Sequence, residues 1–338
     1  MQTLEPNFDH LLSLSGPYGT FEHARYATAR VEHGYCTDDV ARVLLVSVRE
    51  TDAPREVADL ASSSLAFLAR AQDVDGRFWN RRSPDGEWSG SSSSDDCWGR
   101  ALWALGTTVA RSSDPELKES AMKLFERSAK VRSPWARSMS FASFGAAETL
   151  KVDPTNRIAL RLLEATARTV DRPDRTKYWR WGEERLSYAN AALPEAMLTA
   201  GSLLGDDRLI ETGLRQLRWL LEMESPRGHL SVTPVGGRDS HSAAKMFDQQ
   251  PIEVAAMSEA CVRAYELTRD GQWRIGHVLC VEWFMGRNDL GVAMYDPDTG
   301  GGYDGLTAVG PNLNQGAEST IALLTTLQHA RLFVRASS

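Results

Sequence analysis

Two kinds of helical segment alternate along this chain, and that alternation constrains its fold more than any other feature. One kind is amphipathic and charged on one side, over residues 54–71, 114–131, 155–170, 206–222 and 270–285. The other is small, apolar and poor in charge beyond its first turn, over residues 36–48, 94–106, 137–150, 186–201, 247–265 and 312–327. Trp98, Ala101, Leu102 and Leu105 recur at i, i+3, i+4 and i+7, as do Val40, Val43 and Leu44 with Ser47 the polar exception. Asp114-Pro115 and Asp153-Pro154 each offer an N-cap followed by proline at the first helical position. A helix apolar on most sides is buried on most sides. Six such helices alternating with outer ones, the first outer one around Phe8–Leu14, predict an all-α (α/α)6 toroid spanning residues 1–338 as one domain. Strand-like stretches at Arg77-Phe78-Trp79, Leu230-Ser231-Val232 and Val292-Ala293-Met294-Tyr295 predict short β-hairpin loops.

Loop lengths select one face. About 23 residues precede Asp95, about 27 precede Gln249 and about 28 precede Asn314, whereas the return connections are short. In an alternating toroid the long loops lie where the buried helices begin, and long loops carry function.

Each buried helix opens on polar residues. They are Asp38 and Asp39; Asp95 and Asp96; Ser138 and Ser140; Tyr188 and Asn190; Asp248, Gln249, Gln250 and Glu253; and Asn312, Asn314, Gln315 and Glu318. N-capping accounts for one residue per helix. It does not account for two adjacent aspartates twice, nor for Gln249-Gln250 with Glu253. Two carboxyl groups flanking a glycosidic bond, one protonated and one ionised, are what glycoside hydrolysis needs. Asp38, Asp39, Asp95, Asp96 and Glu318 are therefore the candidate catalytic residues. His23, Trp79, Trp98, Arg100, Tyr188, Asn190, Gln249, Gln250, Glu253, Asn314 and Gln315 are the candidate sugar contacts. The chain has 10 Trp, as many as its 10 Phe, and Trp79, Trp88, Trp98, Trp179 and Trp181 fall in or beside the long loops. Indole rings there can stack on pyranose faces or fill a helical core.

Other chemistries find less support. His33 and Cys36 are too few to ligate zinc, and Asp296-Pro297-Asp298-Thr299-Gly300 with Asp304 lacks the EF-hand spacing. There is no Walker, GxSxG or HExxH motif, so no metal or cofactor is expected. Lys+Arg 38 against Asp+Glu 45 gives a net charge of −7, which argues against a nucleic-acid partner. No apolar run approaches a membrane span. Met1-Gln2-Thr3-Leu4-Glu5-Pro6 has no signal-peptide character. Four scattered cysteines form no disulfide framework, so the expected compartment is the cytoplasm.

Gly34-Tyr35-Cys36-Thr37-Asp38-Asp39-Val40-Ala41-Arg42, Asp95-Asp96-Cys97-Trp98-Gly99-Arg100-Ala101-Leu102 and Asn314-Gln315-Gly316-Ala317-Glu318-Ser319-Thr320 together resemble a bacterial all-α domain. That domain occurs alone or joined to retaining-type glycosyltransferases, and the resemblance runs from Phe8 to Leu327. It implies an oligosaccharide or polysaccharide substrate and a glycosyltransferase as functional partner. Relatives often carry Asp where this chain has Ala189. More distantly, a double-Asp helix start is similar to that of the endo-α-1,6-mannanases, which implies nucleophile and acid roles for Asp38 and Asp39. The leading expectation is thus an endo-acting glycoside hydrolase on an α-mannoside-containing glycan. The alternatives are another sugar enzyme on the same toroid, a lyase or epimerase, or a non-catalytic glycan-binding module that partners a glycosyltransferase.

Overall fold

The computed structural model describes residues 5–242 and 246–335, so Met1 to Leu4, part of the stretch read for a leader, lie outside the described residues. Twelve α-helices are present among the described residues, and the chain divides into two compact units, residues 11–170 and residues 171–338 with 1–10. No helix among the described residues is long and apolar enough to cross a membrane.

The short helix α1 (Asp9–Ser13) precedes the β1 (Ala24–Arg25) and β2 (Thr28–Ala29) pair and β3 (Tyr35–Cys36). Then come α2 (Thr37–Arg49), α3 (Arg55–Ala71), the β4 (Arg81–Arg82) and β5 (Trp88–Ser89) hairpin, α4 (Asp96–Arg111), α5 (Pro115–Ser128), α6 (Ala136–Val152) and α7 (Arg157–Val170). Helices α2, α4 and α6 are the small apolar segments. Every residue of α6 from Ala136 to Leu150 is buried. In α7 only Ala159, Leu162, Leu163, Thr166 and Val170 are buried, an apolar stripe at helical spacing.

Helices α4 and α6 pack against each other at close range because glycine faces glycine. A Cβ on Gly106 would collide with the Gly145 carbonyl, and one on Gly145 with the Leu102 carbonyl. Glycine costs a helix about 1 kcal/mol relative to alanine. Here that cost is offset by dispersion contacts that only a close approach allows.

In the second unit, α8 (Ala192–Leu204), α9 (Asp207–Glu224), α10 (Pro251–Thr268) and α11 (Gly271–Phe284) are followed by the hairpin β6 (Gly305–Thr307) and β7 (Gly310–Asn312), then α12 (Ala317–Arg335). Helix α10 packs between α8 and α12, and α9 and α11 cover α8 and α10. The connections 205–206 and 269–270 are short, while 225–250 and 285–316 are long.

Local rules set most helix starts. Asp114 accepts from the backbone N–H of Glu116 and Leu117, with Pro115 at the first turn. Asp206 and Asp270 cap α9 and α11 in the same way. The start expected at Asp153-Pro154 falls later: Asp153 closes a turn onto Thr155, and Asn156 accepts from Ala159 N–H to open α7. The expected strands are also redistributed. Phe78 makes isolated bridges to Gln72 and Ser93, and Tyr295 to Gly302. Leu230, Ser231 and Val232 are fully buried without a strand partner, and Ser231 donates its backbone N–H to the Glu224 carbonyl and its hydroxyl to Asp289.

Candidate functional site

The first turns of α2, α4 and α6 lie side by side and gather the carboxyl groups of the first unit. Asp38 and Asp39 are successive residues on α2, so their side chains diverge by about 100°. Asp39 is buried and ion-paired with Arg42 one turn on. Asp38 points instead toward α4, where Nε of Arg100 stands 3.4 Å from its Oδ1. That oxygen is buried and accepts no hydrogen bond among the described residues. Burial pushes the Asp38 carboxyl above the usual carboxylate range, against the pull of Arg100 and Arg42, and the charge of Asp96 raises it further. The Cys36 thiol lies 3.6 Å from Asp38 Oδ2 and 3.4 Å from Asn80 Oδ1.

Asp96, half-buried in the first turn of α4, accepts from the Ser138 hydroxyl at 2.7 Å. Asp95 is exposed and accepts from the indole N–H of Trp135 at 3.0 Å. Arg100 is buried, its guanidinium 4.3 Å from the Phe141 ring centroid. These pairs fix Asp38 and Asp96 on adjacent helix starts in different surroundings.

Glu22, Cys36 and Asp39 bring ligand-type atoms within 4.8 Å of one another. Both carboxylates are already met by guanidinium groups, Glu22 by Arg81 and Asp39 by Arg42. Burial and the neighbouring carboxylates push the Cys36 thiol up, so it stays protonated. The cluster therefore carries ion-paired acids and a thiol, a poor match for a hard or borderline cation. His23 is exposed, its Nδ1 3.1 Å from His33 Nδ1 and 3.7 Å from Glu22.

In the second unit, the polar helix starts are tied into buried networks. Glu253 accepts from the backbone N–H of Ala189 and Asn190 and from the Asn190 amide. Gln249 donates to Asp289 at 2.7 Å, and its carbonyl oxygen accepts from the Trp283 indole at 3.3 Å. Asp289 also accepts from Ser231, and it meets His229 and Arg227. Burial opposes the Asp289 charge, but the bonds from Ser231, His229 and Gln249 and the charge of Arg227 hold it below the usual range. The Gln315 amide joins Thr299 to Asp296, and Asp304 caps α12 through Gly316 N–H and the Ser319 hydroxyl. Gln250 is the half-buried N-cap of α10, Asn314 gives its carbonyl to Asp304 N–H, and Glu318 is half-buried in the first turn of α12. Tyr188 is exposed. Asp248 is half-buried, and burial alone pushes its carboxyl up.

The tryptophans divide differently from expectation. Trp98 is fully buried and donates to the Ser128 carbonyl at 3.1 Å, so it serves the core and offers no face to a sugar. Trp179 and Trp181 are buried against Trp219. Trp79 and Trp88 are half-buried. The residues not named as site candidates from the sequence are Arg42, Asn80, Trp135 and Asp289, and Asp304 was weighed only as part of a calcium loop. A signal existed for Trp135, which follows Pro134 directly before the start of α6. For Asp289 the signal was that Asn288-Asp289 fits the pattern of the domain the chain resembles, but its partners, 40 or more positions away, could not be read from the sequence.

No family model matches the sequence, and no curated protein does. Solved structures match over nearly the whole chain. A sugar epimerase from a ruminal bacterium shares 16% identity at a TM-score of 0.70, covering 95% of each chain. A D-mannose isomerase shares 11% at 0.68, covering 95% of this chain and 94% of that one. A GH76 alpha-mannanase from Bacteroides thetaiotaomicron shares 10% at 0.65, covering 98% and 94%. At such identities the likeness establishes the fold, an all-α (α/α)6 toroid.

Proposed function

We propose that this chain is a glycoside hydrolase in which Asp38 is the proton donor and Asp96 its carboxylate partner. The observation that carries the reading is the contrast between these two neighbours. Asp38 is half-buried like its neighbour, but its Oδ1 is buried without a hydrogen bond, and it holds its proton above the usual carboxylate range. Asp96 sits half-buried on the adjacent helix start, oriented by Ser138. A carboxyl group that keeps its proton beside a second carboxyl group supplies the acid of such a pair. Asp39 is engaged by Arg42 and positions that guanidinium rather than acting on substrate.

In the reaction Asp38 gives its proton to the glycosidic oxygen as the bond to the anomeric carbon breaks, the electron pair leaving with that oxygen. The Asp96 carboxylate faces the positive charge that builds on the anomeric carbon. Water completes the cleavage: its oxygen bonds the anomeric carbon, and the carboxyl pair takes up its surplus proton. An α-mannoside-containing glycan is the proposed substrate, cleaved internally. The resemblance to endo-α-1,6-mannanases and the fold shared with the GH76 alpha-mannanase support it. The free thiols of Cys36, Cys97, Cys261 and Cys280 suit a cytoplasmic enzyme working beside a glycosyltransferase.

The test is incubation with α-1,6-mannotetraose, maltotetraose and cellotetraose, followed by mass spectrometry. Shorter products that together gain one water are expected, and no product from any of the three would overturn the reading. A sugar epimerase or isomerase is the second reading, favoured by the neighbouring imidazoles of His23 and His33 as a base pair. It would leave mass unchanged and alter the sugar composition.

A further inference from the structure

Trp135 is the exposed tryptophan of this chain. It is 59% accessible among described residues that otherwise half-bury or bury their indoles. It stands at the N-cap of α6, three positions before Ser138, the residue that orients Asp96. Its indole N–H is fixed to Oδ1 of Asp95 at 3.0 Å. Asp95 in turn occupies the N-cap position of α4, yet its carboxylate closes no cap bond there and reaches the indole instead. A stabilising local bond has been forgone, and a large apolar ring has been left in water in one held orientation.

We propose that Trp135 is the stacking platform of a sugar subsite beside Asp38 and Asp96, and that Asp95 is its positioning residue. The proposal rests on the glycoside hydrolase reading and extends it to substrate binding. An indole face accepts the C–H face of a pyranose, and its N–H needs a polar partner to stay wet at one edge. Asp95 supplies that partner through one oxygen and keeps the other to accept from a sugar hydroxyl. Holding the ring before the sugar arrives removes the entropy cost of ordering it on binding. The occupant is a neutral pyranose of an oligosaccharide, since stacking needs no charge.

The test is calorimetric titration of α-1,6-mannotetraose, maltotetraose and cellotetraose into the Asp96→Asn chain, which keeps sugars uncut. With the best-bound probe, Trp135→Ala in that background is expected to weaken binding about tenfold, and Trp135→Phe less. Asp95→Ala is expected to fall between these, with Asp95→Asn, which still accepts from the indole, close to the parent. Tryptophan emission is expected to change on binding in the parent and not in Trp135→Ala. Circular dichroism shows that each variant is folded, and the exposed position tolerates the change. Parent affinity retained within twofold in Trp135→Ala overturns the subsite while leaving the hydrolase reading standing. A parent that binds none of the three probes overturns both.

Discussion

Nε of Arg100 on α4 stands 3.4 Å from Oδ1 of Asp38 on α2, and Asp38 nevertheless holds its proton above the usual carboxylate range. Burial outweighs the guanidinium, and Asp96 adds to it. As the proton donor, Asp38 must be protonated, so activity is expected to fall as pH rises through its raised value. Arg100→Gln removes a charge that favours the ionised form. The alkaline limb of kcat/KM is expected to move to higher pH in that variant. A limb that stays in place or moves down would sink the assignment of Asp38.

Replacing either carboxyl removes a proton-transfer or charge-stabilising partner. Asp38→Asn and Asp96→Asn are each expected to lower kcat by a factor of about 10² to 10⁴ with little change in fold. Rates on the cleaved tetrasaccharide check this. Retained turnover in both variants contradicts the proposed pair, while loss in Asp39→Asn alone would move the acid to the neighbouring residue.

Asp289 carries stability rather than chemistry. Its side chain is wholly buried and satisfied by Ser231, His229, Gln249 and Arg227. Asp289→Asn turns an acceptor into a donor facing donors, and is expected to cost about 3 kcal/mol in urea unfolding near neutral pH. The folded state depresses the Asp289 proton affinity, so this stabilisation is present above the ordinary carboxylate range and lost as pH falls through the depressed value. The gap between wild type and variant is expected to narrow in acid. A gap that widens on acidification is the contrary result.

Gly106 and Gly145 invert a familiar substitution. Glycine to alanine in a helix ordinarily gains about 1 kcal/mol. Here the added methyl meets backbone carbonyls of the facing helix, which have no free space to yield. Gly106→Ala and Gly145→Ala are each expected to destabilise by about 1–3 kcal/mol or more. Thermal unfolding decides the sign.

The cysteines are expected to be inert while the chain is folded. All four are buried, and burial pushes Cys97 up to about 12, with Cys36, Cys261 and Cys280 also raised. An aromatic disulfide reagent at mildly alkaline pH should react with no thiol in the native protein and with four in denaturant. Rapid labelling of Cys36 before unfolding would count against the buried carboxyl cluster around it.

Periodicity and composition sufficed for the helices and for their sorting into two kinds. Helix α6 reads as apolar on every side and is buried on every side. Helix α7 reads as a stripe and buries that stripe. Both signals are local, set by 3.6 residues per turn and by the transfer of apolar surface from water. The polar helix starts were legible for the same reason, and so was the Asp114-Pro115 cap. Trp98 was read as a sugar contact although it opens the stripe Trp98, Ala101, Leu102 and Leu105, and it is fully buried.

What only the tertiary structure decided is the environment of each polar group. Asp38 and Asp39 are adjacent and chemically identical in the chain. A turn of about 100° sends one to Arg42 and the other to Arg100 and Asp96. Gln249 and Gln315, read as sugar contacts in the sequence, hydrogen-bond the carboxylates of Asp289 and Asp296, 40 and 19 positions away. Trp135 looks like a stray aromatic until Asp95, 40 positions away, takes its N–H. The apolar stripe of a helix is set by near neighbours at 3.6 residues per turn, so it could be read from the sequence. Proton affinity and hydrogen-bond partnership depend on what distant segments bring within a few ångströms, and that is settled only when the chain has folded.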